Sequence, residues 1–352
     1  MRAILGGSRC AMLAACAFLT ACGTLPLPLA QGDKAGGAAR GGSWMRPEAK
    51  NKDLLYVVYP TVDSEGTIDA YSYPQGVLEG QITGLSNPGG DCTDAAGNLY
   101  VTNATTSENS IVEFAHGGTQ PIRSLSVPGY AAFSCAVDPT SGDLAVTSYG
   151  TMEGGRGDVA VYHNAKGSPR IYSDSNLSHS DFINYAYCAY DSAGDLFVDG
   201  KYPVGYEVPI FGEVPRGGKS LVALNLNEGI GWISGLQWDG KYLAVGQAVK
   251  PYIFRFKISG TTGTLVGSTP LTDATDAFQF VFAGNKVIVA NQWFYDRYEY
   301  EWDVLVYNYP KGGTSTERIA YKIGGSGFDS IALSRRDGHG GAALATSERA
   351  SP

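Results

Sequence analysis

The residues able to do acid–base or nucleophilic chemistry are few and scattered. The chain of 352 residues has four histidines, His116, His163, His179 and His339. No two of them stand in an H-x-x-x-H spacing that would bring both imidazoles to one metal ion. There is no G-x-S-x-G turn to raise a serine and no C-x-x-C pair. A Ser-His-Asp triad assembles from distant residues and stays open, but nothing in the chain points to one. The stretch with a marked chemistry is Asn291 to Asp303, N-Q-W-F-Y-D-R-Y-E-Y-E-W-D. Trp293, Phe294, Tyr295, Tyr298, Tyr300 and Trp302 are interleaved there with Asp296, Glu299, Glu301 and Asp303 around a single Arg297. Rings with polar tips suit stacking on a sugar or gripping a peptide, and the local excess of acids favours a hydroxyl-rich or cationic ligand. The competing account is that these rings only extend a strand and pack against neighbouring elements.

The elements that must position such a stretch are read from repetition. Asp94 to Asn103, D-A-A-G-N-L-Y-V-T-N, joins a tight Gly-bearing turn to an alternating strand. The same grammar returns at Asp138 to Ser148 and Asp191 to Gly200, and more loosely at Trp238 to Gln247 and Ala283 to Gln292. With Leu99, Leu144, Leu196, Tyr242 and Val287 as equivalent positions, and Leu54 to Tyr59 as a further strand in front, six units follow at about 44 to 52 residues. A second pattern repeats after each: an alternating strand ending in a Gly-bearing hairpin, as in I-D-A-Y-S-Y-P-Q-G from Ile68 and V-L-V-Y-N-Y-P-K-G-G from Val304. Composition agrees, with 47 Gly, 22 Tyr and only 17% charged residues. The expected fold is all-β, a six-bladed propeller of four-stranded blades.

In the second unit the strands expected from the axis outward are Gly90 to Asp94, Leu99 to Asn103, Ser110 to Ala115 and Pro121 to Val127. Closure is legible at the ends. Leu54 to Tyr59 lacks an innermost partner before it, and Phe328 to Leu333 is an innermost-type strand with no successor, so the two are expected to complete one blade. Strand direction then puts the long, varied connections on one face, which is where binding on a rigid scaffold resides.

These units resemble NHL-repeat and related six-bladed propellers over about Leu54 to Ser334. A neighbouring branch, the regucalcin and gluconolactonase group, holds a divalent cation such as Ca2+ in the central tunnel through oxygen ligands. Resemblance to that branch would place a metal at Asp329, Asn103, Asp199 and Asn291 and imply lactonase or hydrolase activity. Asp329, however, stands in G-F-D-S rather than P-D-G, and the N-terminal Glu ligand has no counterpart. Polar residues at strand ends also serve simply to satisfy turn backbone.

The start of the chain is a targeting segment. Arg2 and Arg9 precede an apolar run from Cys10 to Thr20 that is too short to span a bilayer, and Leu19-Thr20-Ala21-Cys22 follows. That tetrapeptide resembles the bacterial lipobox, which implies cleavage before Cys22 and acylation of it; an ordinary signal with an incidental Cys22 is the alternative. Residues 1–21 are thus expected to be a signal peptide, 22–53 a flexible tether, 54–334 the propeller and 335–352 a disordered tail. Cys92, Cys135 and Cys188 are left in the mature domain, each just before a repeat Asp, and are expected as buried free thiols, because equivalent positions on neighbouring blades should lie too far apart to bridge. Loss of Arg2 and Arg9 takes the formal charge from -8 to -10, which argues against nucleic acid as a partner. The expectation is a lipid-anchored module at a bacterial cell envelope, binding a protein, peptide or glycan without a cofactor. A lactonase needing Ca2+ and a structural spacer in an envelope complex are the alternatives.

Overall fold

The structure is a computed structural model that describes residues 42–60, 66–105, 109–150, 157–173, 184–201, 209–249, 251–296, 299–323 and 330–336. The alternating segments form six sheets, each an antiparallel run from the axis outward except that the short outermost strand Asn225–Leu226 of the fifth pairs in parallel with Thr262–Pro270. The second blade is Pro88–Thr93, Leu99–Ala104, Asn109–Phe114 and Pro121–Ser126, within two residues of the expected strands. Blades three and four begin with Ala131–Val137 and Asn184–Tyr190, and blades five and six with Ile233–Trp238 and Asp276–Ala283. In the fifth, the second strand starts at Leu243 rather than Tyr242, whose N–H is held by the Asp239 carboxylate at 2.7 Å.

The first blade is closed by the end of the chain. Ser330–Ser334 pairs antiparallel with Asp53–Tyr59, from Leu54 opposite Ser334 to Val58 opposite Ser330. Leu55, Val57, Ile331 and Leu333 are all buried in the cluster that joins this blade to the sixth. Each such side chain contributes about 1.5–3 kcal/mol relative to exposure, so the join is held by its apolar faces as well as by its ladder. The other clusters likewise lie between successive blades. The core is therefore a ring of interfaces, and strand alternation serves both faces of every blade.

Two expectations are corrected. The last part of the presumed tether belongs to the first blade: Trp44–Met45 pairs with the outermost strand, Trp44 opposite Gln81, and Lys52 donates to buried Glu79 at 2.7 Å. This covers a sheet edge that would otherwise be open. Among the cysteines of the described residues, Cys92 and Cys135 form a disulfide with a Cα–Cα distance of 5.7 Å, and Cys188 is a buried free thiol. The innermost strands converge on the axis, and the two cysteines are offset by one step of register: Cys92 lies opposite Tyr100, Cys135 opposite Val146. Successive residues face opposite sides of a strand, so that offset turns them toward each other across the gap between blades.

Candidate functional site

Tight turns join first to second and third to fourth strands on one face of the ring, and the longer connections lie on the other. On this loop face, where second strands end and innermost strands begin, side-chain amides fix the backbone. Asn103 Oδ1 accepts the Asn87 N–H at 3.0 Å, Gln247 Oε1 accepts that of Gly231 at 3.0 Å, and Asn291 Oδ1 that of Thr275 at 2.8 Å, each sixteen residues back. Asn291 also donates to Asp303 Oδ1 at 2.8 Å, and Arg318 sits 3.1 Å from Asp303 Oδ2. Burial pushes the Asp303 carboxyl up to about 6 against the pull of Asn291 and Arg318.

Asp199 lies one step deeper on its strand than this amide position and is fully buried. Its Oδ1 accepts the Tyr187 N–H at 2.7 Å, and desolvation drives the carboxyl well above the ordinary carboxylate range. Asn103, Asp199 and Asn291 are thus each tied to backbone within their own blade. Asp329 lies outside the described residues, as does Cys22. Among the described residues no group of three or more His, Cys, Asp or Glu side chains could hold a metal ion. The Asn103 and Asn291 side-chain carbonyl oxygens and Asp199 Oδ1 each accept a backbone N–H, while Asp199 Oδ2 has no hydrogen-bond partner among the described residues.

The aromatic stretch is a hairpin. Trp293, Phe294 and Tyr295 lie on the strand Lys286–Asp296, Tyr300 and Trp302 on Glu299–Asn308, with Trp293 opposite Glu301 and Phe294 opposite Tyr300. Tyr298 lies outside the described residues, as do the side chains of 293–300. Trp302 is 8% exposed and packs on Phe278 with ring centroids 5.9 Å apart. This ring belongs to the core between the sixth and first blades, so it is not part of an open ligand-binding surface.

Phe278 leads to a site the sequence did not single out. It lines a cavity of about 320 Å³ at the mouth of the channel, together with Phe133, Tyr149, Tyr187, Trp232 and Lys201. Phe133, Tyr187 and Phe278 come from the innermost strands of blades three, four and six, Tyr149 and Lys201 from the ends of second strands. Phe133 stacks on Tyr149 at 4.5 Å and meets the edge of Tyr187 at 5.4 Å. Trp232 stands just before the innermost strand of blade five, 50% exposed. Its carbonyl accepts the Ala248 N–H at 2.9 Å, and the Lys201 ammonium lies 5.7 Å from its ring centroid. Among the described residues the result is an aromatic cup with the half-exposed Trp232 indole and the Lys201 cation at its rim. Such a shape takes a group that sheds its water on entry. The signal that could have found it is an aromatic one or two residues ahead of the Cys or its equivalent: Phe133 before Cys135, Tyr187 before Cys188, Phe278 before Phe280.

The opposite end of the channel holds a second cavity. A space of about 130 Å³ there is lined by Asp91, the Cys92–Cys135 bridge, Trp238, Phe282 and Leu333.

No protein-family model matches the chain, and no curated protein matches it in sequence. Solved structures do match in fold. A chain from a nidogen/laminin complex superposes with a TM-score of 0.57 at 14% identity, covering 80% of this chain and 99% of that one. A protein described as a TolB from Agrobacterium tumefaciens superposes with a TM-score of 0.53 at 14% identity, covering 80% and 98%. At that identity the likeness shows the six-bladed propeller fold.

Proposed function

We propose that this chain is an exported, lipid-anchored propeller that binds a protein partner at the cell envelope through its loop face. The observation that carries the reading is the aromatic cup at the channel mouth, with Trp232 half exposed on a backbone pinned by Ala248. Large rings held rigidly at the surface lose little entropy on binding, which is why they dominate protein interfaces. A propeller in a nidogen/laminin complex shares the fold and supports a protein as the ligand. Export is supported by the leader ahead of Cys22 and by the Cys92–Cys135 bridge, since disulfides persist in oxidising compartments and are rare in the cytosol. Acylation of Cys22 would then hold the domain at a membrane surface.

The test places a photo-crosslinking amino acid at Trp232 or, as control, at Ile122, exposed on the outermost strand of blade two. A discrete protein adduct from Trp232 and none from Ile122 is expected in living cells. The same pattern at both positions, or no adduct at either, overturns the loop-face reading. Cys22→Ala is expected to move the protein from the membrane fraction to the soluble one.

A further inference from the structure

The aromatic cup has room for one large side chain, and its walls alone leave two chemistries open. Aromatic faces attract cations, so a cup of Phe133, Tyr149, Tyr187 and Trp232 could hold an ammonium group as readily as an apolar one. Lys201 decides between them. Its ammonium already lies over the Trp232 ring, at 5.7 Å from the centroid, and among the described residues no carboxylate forms an ion pair with it. A cationic guest would meet a like charge at the rim, whereas a guest with a carboxylate beside its apolar group would meet an opposite one.

We propose that the cup takes a large apolar side chain whose neighbour in the partner's sequence is an Asp or Glu, the ring entering among Phe133, Tyr149 and Tyr187 and the carboxylate pairing with Lys201. This rests on the reading of the loop face as a protein-binding surface. The apolar side chain supplies affinity by leaving water, and the carboxylate supplies selection. An exposed ion pair contributes at most about 1 kcal/mol, and the repulsion of a cation is of similar size, so the expected discrimination is about fivefold or more at low salt. It shrinks as ionic strength rises and the pair is screened.

The experiment titrates the purified protein with three acetylated, amidated peptides, Gly-Phe-Glu-Gly, Gly-Phe-Lys-Gly and Gly-Ala-Glu-Gly, by ligand-observed NMR. The Phe-Glu peptide is expected to bind about fivefold tighter than the Phe-Lys one, with the Ala-Glu peptide weakest. Lys201→Gln should erase the difference between Glu and Lys while keeping that between Phe and Ala, and Trp232→Ala should weaken every peptide. Equal binding of the Glu and Lys peptides by the unaltered protein overturns the acidic selection and leaves the loop-face reading standing. Equal binding of the Phe and Ala peptides, or binding of none, overturns the cup as an anchoring site. Crosslinking from Trp232 then decides separately whether the face binds protein.

Discussion

Asp91 and Cys135 hold the same register position on neighbouring innermost strands: Asp91 lies opposite Val101 of its own blade, Cys135 opposite Val146 of the next. By the same register the position is filled by Ile331, Cys188, Leu236 and Phe280 in the other blades. Five blades place an apolar or sulfur-bearing side chain where the second places a carboxyl. Both oxygens of that carboxyl lack a hydrogen-bond partner among the described residues, and burial pushes it up to about 8. The Ser330 hydroxyl, which accepts Asp91's own N–H at 3.0 Å, pulls the other way.

Removing this carboxyl should stabilise the protein. The folded value of about 8 lies above the unfolded one of about 3.9, so the folded chain holds an extra proton between them. Its contribution is full below about pH 4 and is lost as pH rises through about 8. Asp91→Leu, which matches Leu236 at the equivalent position, is expected to raise stability at pH 7 by about 2–4 kcal/mol and to flatten the fall in stability between pH 5 and 8. Denaturant melts of both proteins across that range are the check, and parallel profiles would refute the assignment.

The register that brings Cys92 to Cys135 also pairs the next seam. Ala136 holds in blade three the position of Cys92 in blade two, and Cys188 holds in blade four that of Cys135. Ala136→Cys should therefore form a second bridge with Cys188 when oxidised, adding about 2–4 kcal/mol that a reductant removes. Thiol titration of the unfolded protein reads it directly. A thiol still free at Cys188 would mean that the two seams differ in spacing.

Asp199 stands where the two preceding blades carry a threonine. Thr102 Oγ1 lies 3.5 Å from the Phe133 carbonyl and Thr147 Oγ1 2.5 Å from that of Ala186, each in the next blade. A carboxyl could replace such a hydroxyl donor only as the neutral acid, the form burial favours, and Asp199 Oδ2 has no hydrogen-bond partner among the described residues. As with Asp91, the sign is a contribution complete below the unfolded value of about 4 and lost as pH rises. Asp199→Thr is expected to fold normally and to gain stability on the order of 2 kcal/mol at pH 8, with less gain at pH 5. A loss at both pH values would show that the carboxyl does work a hydroxyl cannot.

Why some of this was legible and some not follows from the distances involved. Strand, turn and hairpin signals are local, so Asp94 to Asn103 and its copies announced the blades, and the unpartnered ends at Leu54 and Leu333 announced the closure. The disulfide depends on convergence at the axis and on a one-step offset between Cys92 and Cys135, which no repeat alignment displays as proximity. The strap at Trp44 carries too short a strand to show a period. The cup gathers rings from blades three to six, at Phe133, Tyr149, Tyr187, Trp232 and Phe278, so its residues never cluster in the sequence, whereas Trp293 to Trp302 does cluster and drew attention to a hairpin whose last ring is buried.

Trp232 and Trp302 are the two tryptophans on which the binding reading turns, and they should separate cleanly. Trp302 packs on Phe278 inside the core between blades six and one, so truncation opens a cavity there. Trp302→Ala is expected to cost about 3–5 kcal/mol of stability. Trp232 is half exposed, and its position is set through its backbone carbonyl rather than its ring. Trp232→Ala should therefore change stability by only about 0.5 kcal/mol while abolishing crosslinking from neighbouring positions on the loop face. Thermal melts with peptide titrations distinguish the two. If Trp232→Ala melts early, or if Trp302→Ala keeps its stability and loses binding instead, the anchor lies on the hairpin and the cup is only a gap in the packing.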